Sequence, residues 1–359
     1  VRKQSLKVCT GAQSPLKSQL PKFGMIATPS PVRRLDGVGR GGDLWVKDDS
    51  RLHPLYGGNK CRKLMHLLKE AEKRDKCRLI TFGAAGSHHV LATGLLAAAR
   101  GFKVSAFVVA QPWSKHAEQV LCASAACGVD LIPARSMGDA FVAVRRLFTP
   151  RCAFIPPGGS NVCGSLGYFE AALELAQQVQ LGALPEPDCI VVAFGTAGTV
   201  AGLWAGIELT GLKSRIVGVS VLRAKGRALY ARRIAQSILR AVDSRIAVRP
   251  DRLVIDCRWI GAGYGYESEA GRTATLKANL IDLPLDPTYT AKAFAGALSL
   301  VKGMTIGGHG EAGQPNWPVP PDHVLYWHTL SASSPIQEST SITTLPPNIR
   351  ALLRPCRQS

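Results

Sequence analysis

A chain of 359 residues with 46% hydrophobic content can bury the cores of two domains, and no apolar run approaches the roughly 18 residues of a membrane span. A net charge of +19 raises nucleic acid as a partner, but the cations are spread, clustering only as pairs such as Arg33-Arg34 and Arg232-Arg233. Zinc-finger spacing and an aromatic-rich RNA-binding pattern are both missing, so no nucleic acid, no membrane and a small anionic ligand are expected.

In chain order, residues 1–35 contain no Asp or Glu but include Arg2, Lys3, Lys7, Lys17, Lys22, Arg33 and Arg34. A flexible basic extension over 1–24 is expected; organellar targeting segments share this bias, whereas the long apolar run of a secretory signal is missing. Ten cysteines without a Cys-x-x-Cys pair, several in apolar runs (Cys122, Cys189, Cys257), indicate a reducing, cytoplasmic setting rather than a disulfide framework.

Residues 43–49 read as a strand leading to Tyr56-Gly57-Gly58-Asn59-Lys60. Leu64, Leu67, Leu68 and Ala71 then repeat at helical spacing, so a helix with one buried face follows the lysine. Strands at 79–82, 104–109, 129–132 and 153–155 alternate with helices at 87–99, 114–127 and 138–147. Pro156-Pro157-Gly158-Gly159 marks a domain crossing. Beyond it, strands at 189–194, 216–222, 253–256 and 324–328 alternate with helices near 166–176, 199–210, 225–242, 267–278 and 290–302. The strands are near-continuous apolar runs, as in parallel sheets covered on both faces. An α/β fold follows: a large domain (25–62 and 165–330), a small domain (63–164) and a tail (331–359), rich in Ser, Thr and Pro, expected to be peripheral or disordered.

Five stretches carry chemistry. Lys60, beside a glycine pair at a helix mouth, is placed to form an imine with a carbonyl compound once its amine is deprotonated. Gly195-Thr196-Ala197-Gly198-Thr199, between a strand and a helix, presents free N–H groups and a positive helix end suited to phosphate, without matching a Walker loop or a dinucleotide fingerprint. Ser87-His88-His89 opens a helix whose N–H groups can hold a carboxylate, with Ser87 able to relay a proton. Tyr264, between glycines, and Tyr289, before a helix, can face a planar ring. Taken singly, Lys60 also reads as a solvated turn lysine, the Gly195 loop as a tight turn, Ser87 as an N-cap and the tyrosines as core. Adjacent histidines diverge on a helix, so no metal is expected, and His116, His309, His323 and His328 have no evident partners. Together, an imine-forming lysine, a phosphate cradle, an aromatic and a carboxylate site are what pyridoxal phosphate needs to act on an amino acid.

The block Tyr56-Gly-Gly-Asn-Lys60-Cys-Arg-Lys63-Leu resembles the Gly-Gly-Asn-Lys-x-Arg-Lys-Leu block of the D-cysteine desulfhydrase and 1-aminocyclopropane-1-carboxylate deaminase family, of the pyridoxal-phosphate fold type II, or tryptophan synthase β, superfamily. The likeness runs from about Ala27 to Thr329 through Gly83–His89, Pro157–Gly167, Gly195–Gly202, Gly263–Gly265 and Asp286–Phe294. It implies a homodimer and a Schiff base on Lys60, beside Asn59. Lys63 and Gly195, Thr196, Ala197, Gly198 and Thr199 would take the phosphate, Ser87 and His89 would lie near the substrate, and Tyr264 and Tyr289 would face cofactor or substrate. Catalysis would rest on Lys60, Ser87 and Tyr289.

Three departures stand out. His88 replaces the Asn that bonds the cofactor's 3′-oxygen. Ala197 replaces a common Gly, with strain of about 1–2 kcal/mol if φ is positive there. Lys47 stands where an Arg often precedes the acidic pair Asp48-Asp49. Thr290 and His328-Thr329 match the desulfhydrase pattern, whereas the cyclopropane deaminases carry Glu and Leu. The expected activity is therefore β-elimination from a small amino acid such as D-cysteine, giving pyruvate, ammonia and sulfide. The alternatives are a cyclopropane deaminase, another pyridoxal-phosphate deaminase or racemase, and, more remotely, a non-catalytic basic binding protein.

Overall fold

The structure, a computed structural model, describes residues 26–36, 42–223, 225–243, 245–304, 320–333 and 341–354. The expected N-terminal extension lies outside them. The elements run β1 (Val32–Arg34), β2 (Asp43–Asp48), α1 (Gly58–Lys73), β3 (Arg78–Ala84), α2 (His88–Ala98), β4 (Lys103–Val109), β5 (Gln111–Pro112) and α3 (Lys115–Ala126). They continue with β6 (Asp130–Pro133), α4 (Met137–Leu147), β7 (Cys152–Phe154), α5 (Val162–Gln180), β8 (Cys189–Phe194), α6 (Gly198–Thr210), β9 (Arg215–Ser220) and α7 (Arg227–Val242). The last are β10 (Leu253–Asp256), α8 (Glu269–Asn279), α9 (Thr290–Val301), β11 (His323–His328), α10 (Pro347–Arg350) and β12 (Leu353–Arg354).

The larger sheet has the order β1-β2-β11-β8-β9-β10 and is parallel except for edge strand β1. The smaller, β6-β4-β3-β7, is parallel throughout. Helices cover both faces of each. In β8 alternate side chains enter opposite cores: Ile190 and Val192 pack with α5, α6 and α7, while Cys189 and Val191 pack with α8 and α9. Cys61, Leu64, Leu67, Leu68 and Ala71 of α1 pack into the core of the smaller sheet with α2 and α3.

The tail differs from its expectation. Residues 341–354 are packed: Leu345, Ile349, Leu352 and Leu353 join the core of the smaller sheet, and β12 pairs with β5. The apolar face comes from four residues on short, irregular backbone, too few turns to show a period.

A buried ionic cluster fixes α1 against the larger sheet. Arg62 donates to both oxygens of Asp49 (2.8 and 3.0 Å) and to Glu174 (3.1 Å), while Lys47 donates to Glu174 (2.5 Å) and to Gln178 (2.6 Å). Tyr168 and the Trp327 indole each donate to Asp49 at 2.8 Å. Burial pushes Asp49 up, but Arg62 and the other donors outweigh it and hold the carboxyl below its usual range. Two cations face two carboxylates, so the cluster is neutral. Lys47, a departure from the family pattern, thus has a defined place between β2 and α5.

Candidate active site

Loops leaving the C-terminal ends of β2, β3, β8 and β11 converge on a cavity of about 310 Å³. Open α/β sheets bind ligands at that end. The first loop depends on Gly58: its φ is +71°, and a Cβ there would lie 2.3 Å from the Thr329 carbonyl oxygen. That close approach lets the Asn59 N–H donate to the same carbonyl at 3.1 Å, locking α1 to the exit of β11.

One residue later Lys60 enters the cavity, half-buried, its Nζ donating to Asn59 Oδ1 at 2.9 Å and lying 5.6 Å from the centre of the Tyr289 ring. Burial lowers its pKa to about 8, with the Asp286 carboxylate opposing the shift. Lys63, a turn further, is buried and donates to the Gly158 carbonyl at 3.0 Å; burial, then the charge of Lys60, pulls it well below the usual lysine range.

Opposite stands the first turn of α6. Asn59 connects the two sides, since its Nδ2 donates to Thr199 Oγ1 at 3.4 Å. Ser160 Oγ accepts the Gly198 N–H at 3.1 Å and bonds Thr196 Oγ1 at 2.8 Å. Ala197 caps the helix with φ 77° and ψ −25°, a left-handed conformation that strains any residue with a Cβ. Ala197→Gly is therefore expected to stabilise the protein by about 1 kcal/mol, the relieved strain outweighing the added freedom of the unfolded chain. Urea unfolding measures it; an unchanged or lowered midpoint would mean the turn carries no strain.

At α2, Ser87 is the N-cap residue, yet its hydroxyl makes no capping bond and lines the cavity. The Thr81 hydroxyl donates to the Ile155 carbonyl, so the bond of 2.9 Å between Thr81 Oγ1 and His89 Nε2 takes its proton from the histidine. His89 is thereby fixed with a bare, buried Nδ1 that has no partner among the described residues, an acceptor unsuited to a carboxylate. His88 has both ring nitrogens engaged: Nδ1 with Tyr56 Oη at 2.5 Å and Nε2 with His116 Nε2 at 2.7 Å. To hold a cofactor oxygen it would have to release one of these bonds. Burial, then the neighbouring His116, pushes His88 down to about 3, so it is neutral. His116, which showed no partner in the sequence, meets His88 across the α2–α3 contact.

Tyr264 and Tyr289 share a hydroxyl–hydroxyl bond of 2.8 Å with their rings nearly perpendicular. Buried Lys292 holds the Tyr264 loop through the carbonyls of Ile260 (2.8 Å) and Gly263 (3.0 Å). Asp286 accepts from the N–H groups of Thr288, Tyr289 and Thr290 and from the Thr290 hydroxyl, fixing the start of α9.

Asn59, Lys60, Lys63, Ser87, His88, His89, Gly195, Thr196, Ala197, Thr199, Tyr264, Tyr289 and Thr329 all line the cavity. Gly198 lies behind it as the first residue of α6, and Thr290 is buried against Asp286. Tyr56 and Asp286 line it too, without having been singled out. An Asp four residues before Thr290 is a recognisable helix-start signal for the second; nothing local marks Tyr56.

The donor set fits pyridoxal phosphate. An amine with a lowered pKa suits an aldehyde, and a phosphate between Lys63 and the first turn of α6 would offset the repulsion of two buried amines. Tyr264 and Tyr289 supply a wall for a planar ring. Among the described residues, no group of three or more His, Cys, Asp or Glu is placed to hold a metal. No described helix is long and apolar enough to cross a membrane.

Comparison with known proteins agrees with this geometry. The model of a family described as pyridoxal-phosphate dependent enzyme matches residues 25–309. A D-cysteine desulfhydrase of Klebsiella pneumoniae (strain 342) is 34% identical over 310 residues, covering 80% of this chain and 90% of its own. The nocardicin C-9' epimerase of Nocardia uniformis subsp. tsuyamanensis is 34% identical over 330 residues, 86% of this chain and 98% of its own. The crystal structure of an ACC deaminase homologue superposes with a TM-score of 0.71 at 25% identity, covering 89% of this chain and 94% of its own. That of O-ureido-L-serine synthase gives 0.58 at 14% identity over 89% and 93%, a likeness of fold alone.

Proposed function

The chain belongs to the family of pyridoxal-phosphate-dependent enzymes, and from that premise we propose that it is a lyase removing the β-substituent of a small amino acid, with D-cysteine as the model substrate. The overall change is D-cysteine plus water to pyruvate, ammonia and hydrogen sulfide. The observation that carries this reading is the Lys60 amine, lowered to about 8, in one cavity with the Gly195–Thr199 turn and two linked tyrosines. Lys63 and the first turn of α6 would hold the phosphate, Asn59 would orient Lys60, and Tyr264 and Thr329 would border the ring.

Pyridoxal phosphate supplies an aldehyde that condenses with amines and a ring that withdraws electrons from Cα. Lys60, as a free base, would remove the proton from Cα. The Ser87 hydroxyl and the N–H groups opening α2 receive the carboxylate. Tyr289, tied to Tyr264, borders the reacting carbon. Closure of the part around the smaller sheet, residues 63–164, over the rest would exclude water. A homodimer in the cytoplasm, without nucleic acid, belongs to the same proposal.

A leaving thiol needs only a modest electron sink. The one cavity-lining carboxylate among the described residues, Asp286, is already taken up by the start of α9. That supports elimination over cyclopropane opening. Epimerisation at Cα is a second reading, supported by the equal identity to the nocardicin epimerase. Incubation with D-cysteine, L-cysteine, D-serine and the cyclopropane amino acid separates them. Sulfide and pyruvate in equal amounts from D-cysteine are expected; 2-oxobutyrate as the main product, or inversion without sulfide, would overturn the proposal.

A further inference from the structure

The chain Tyr56 Oη, His88 Nδ1, His88 Nε2, His116 Nε2 is continuous, with contacts of 2.5 and 2.7 Å. It begins at the cavity wall, where Tyr56 and His88 lie, and ends on α3 at His116, which is half-buried. Two imidazoles that meet through the same type of nitrogen must hold opposite roles, one donating and one accepting. Their tautomers are therefore linked, and with them the direction of the Tyr56 O–H.

We propose that Tyr56, His88 and His116 form a proton relay that delivers a proton from solvent to the departing sulfur. This rests on the elimination reading above. With His116 Nε2–H donating to His88 Nε2, and His88 Nδ1–H donating to Tyr56, the phenol proton is free for the cavity. As the C–S bond breaks and its electron pair stays on sulfur, the Tyr56 O–H proton forms the S–H bond. The His88 Nδ1 proton passes to Tyr56, the His116 Nε2 proton passes to His88, and one water proton enters at His116 Nδ1. One proton enters and one leaves on sulfur, and the hydroxide left by the water is neutralised when Lys60 releases the proton taken from Cα. All three groups are neutral before and after, and only the tautomers exchange.

That neutrality suits the surroundings. The charged groups that act on His88 are Lys60 and Asp286, of opposite sign, and burial disfavours an imidazolium. Asp286 acts on His116 as well. Lys60 serves Cα as the base, and the relay is the acid that serves the leaving group. Tyr56 would touch the substrate; His88 and His116 act through it.

Two measurements test this. In cofactor-free protein with ¹⁵N-labelled histidine, a scalar coupling across the Nε2–H···Nε2 bond is expected, and it should vanish in H116Q. In the loaded enzyme, H116Q should lower kcat for D-cysteine by about 10²-fold with KM little changed. It should lower kcat for β-chloroalanine far less, because chloride leaves without a proton, so the ratio of the two rates should shift at least about tenfold. No coupling in the folded wild-type protein overturns the relay, and so does an H116Q variant that slows both substrates equally or neither. If the wild-type enzyme turns over neither compound, the elimination reading fails while the coupling still decides whether the relay exists.

Discussion

Lys60→Ala is expected to lower kcat with D-cysteine by on the order of 10⁴-fold or more, while the protein stays folded and keeps the Gly195–Thr199 turn intact. The size follows from the two tasks this amine performs, holding the aldehyde and removing the Cα proton, which no neighbour duplicates. Lys63 is buried a turn away and bonded to the Gly158 carbonyl, and Lys292 is bonded to the carbonyls of Ile260 and Gly263. Cofactor uptake gives the pH signature of the same amine. Burial lowers Lys60 to about 8, so below that value the reactive neutral form rises about tenfold per pH unit and above it levels off. The uptake rate of cofactor-free protein, followed by absorbance, should trace that curve in the wild type and lose it in Lys60→Ala.

Arg62→Ala is expected to cost about 3–5 kcal/mol of stability, the largest single effect outside the catalytic amine. The guanidinium makes a two-point bond to fully buried Asp49 and a third contact to Glu174. Among the described residues its removal leaves Asp49 with Tyr168 and Trp327 as side-chain donors, a buried carboxylate without a bonded cation. Against a typical total of about 5–15 kcal/mol, that is a large share. Activity should fall too, because Arg62 lies two residues after Lys60 and ties α1 to β2 and α5. Arg62→Lys should rescue little, since an ammonium cannot span Asp49 in two-point fashion and reach Glu174 as well. Urea unfolding of both variants checks this; a loss below about 1 kcal/mol for Arg62→Ala would show the cluster to be dispensable.

What the residues announce locally, they announce well. The apolar runs of β3, β4, β8, β9 and β11 and the helical stripe of Leu64, Leu67, Leu68 and Ala71 reappear as expected, because a continuous run marks a strand buried on both faces and a 3.6-residue period marks a helix buried on one. The glycine pair before Lys60 and the turn at 195–199 are short-range devices and appear as such. Contacts between distant residues carry no such signature. Arg62 and Glu174 are 112 positions apart, and Lys47 and Glu174 are 127 apart. Tyr56, in the loop before α1, meets His88 and His116 because that loop, α2 and α3 share one core. His88 therefore read as a replacement for a cofactor ligand, whereas both its nitrogens are already bonded. The tail escaped for the opposite reason: its packed residues are local, but spread over one short helix and a two-residue strand.

Treating the holoenzyme with borohydride and mapping the labelled peptides tests the proposed chemistry most directly. One pyridoxyl group, on the peptide carrying Lys60, is the predicted result. A label on Lys63, Lys292 or any other lysine, or a protein that binds the cofactor yet takes no label, would contradict it.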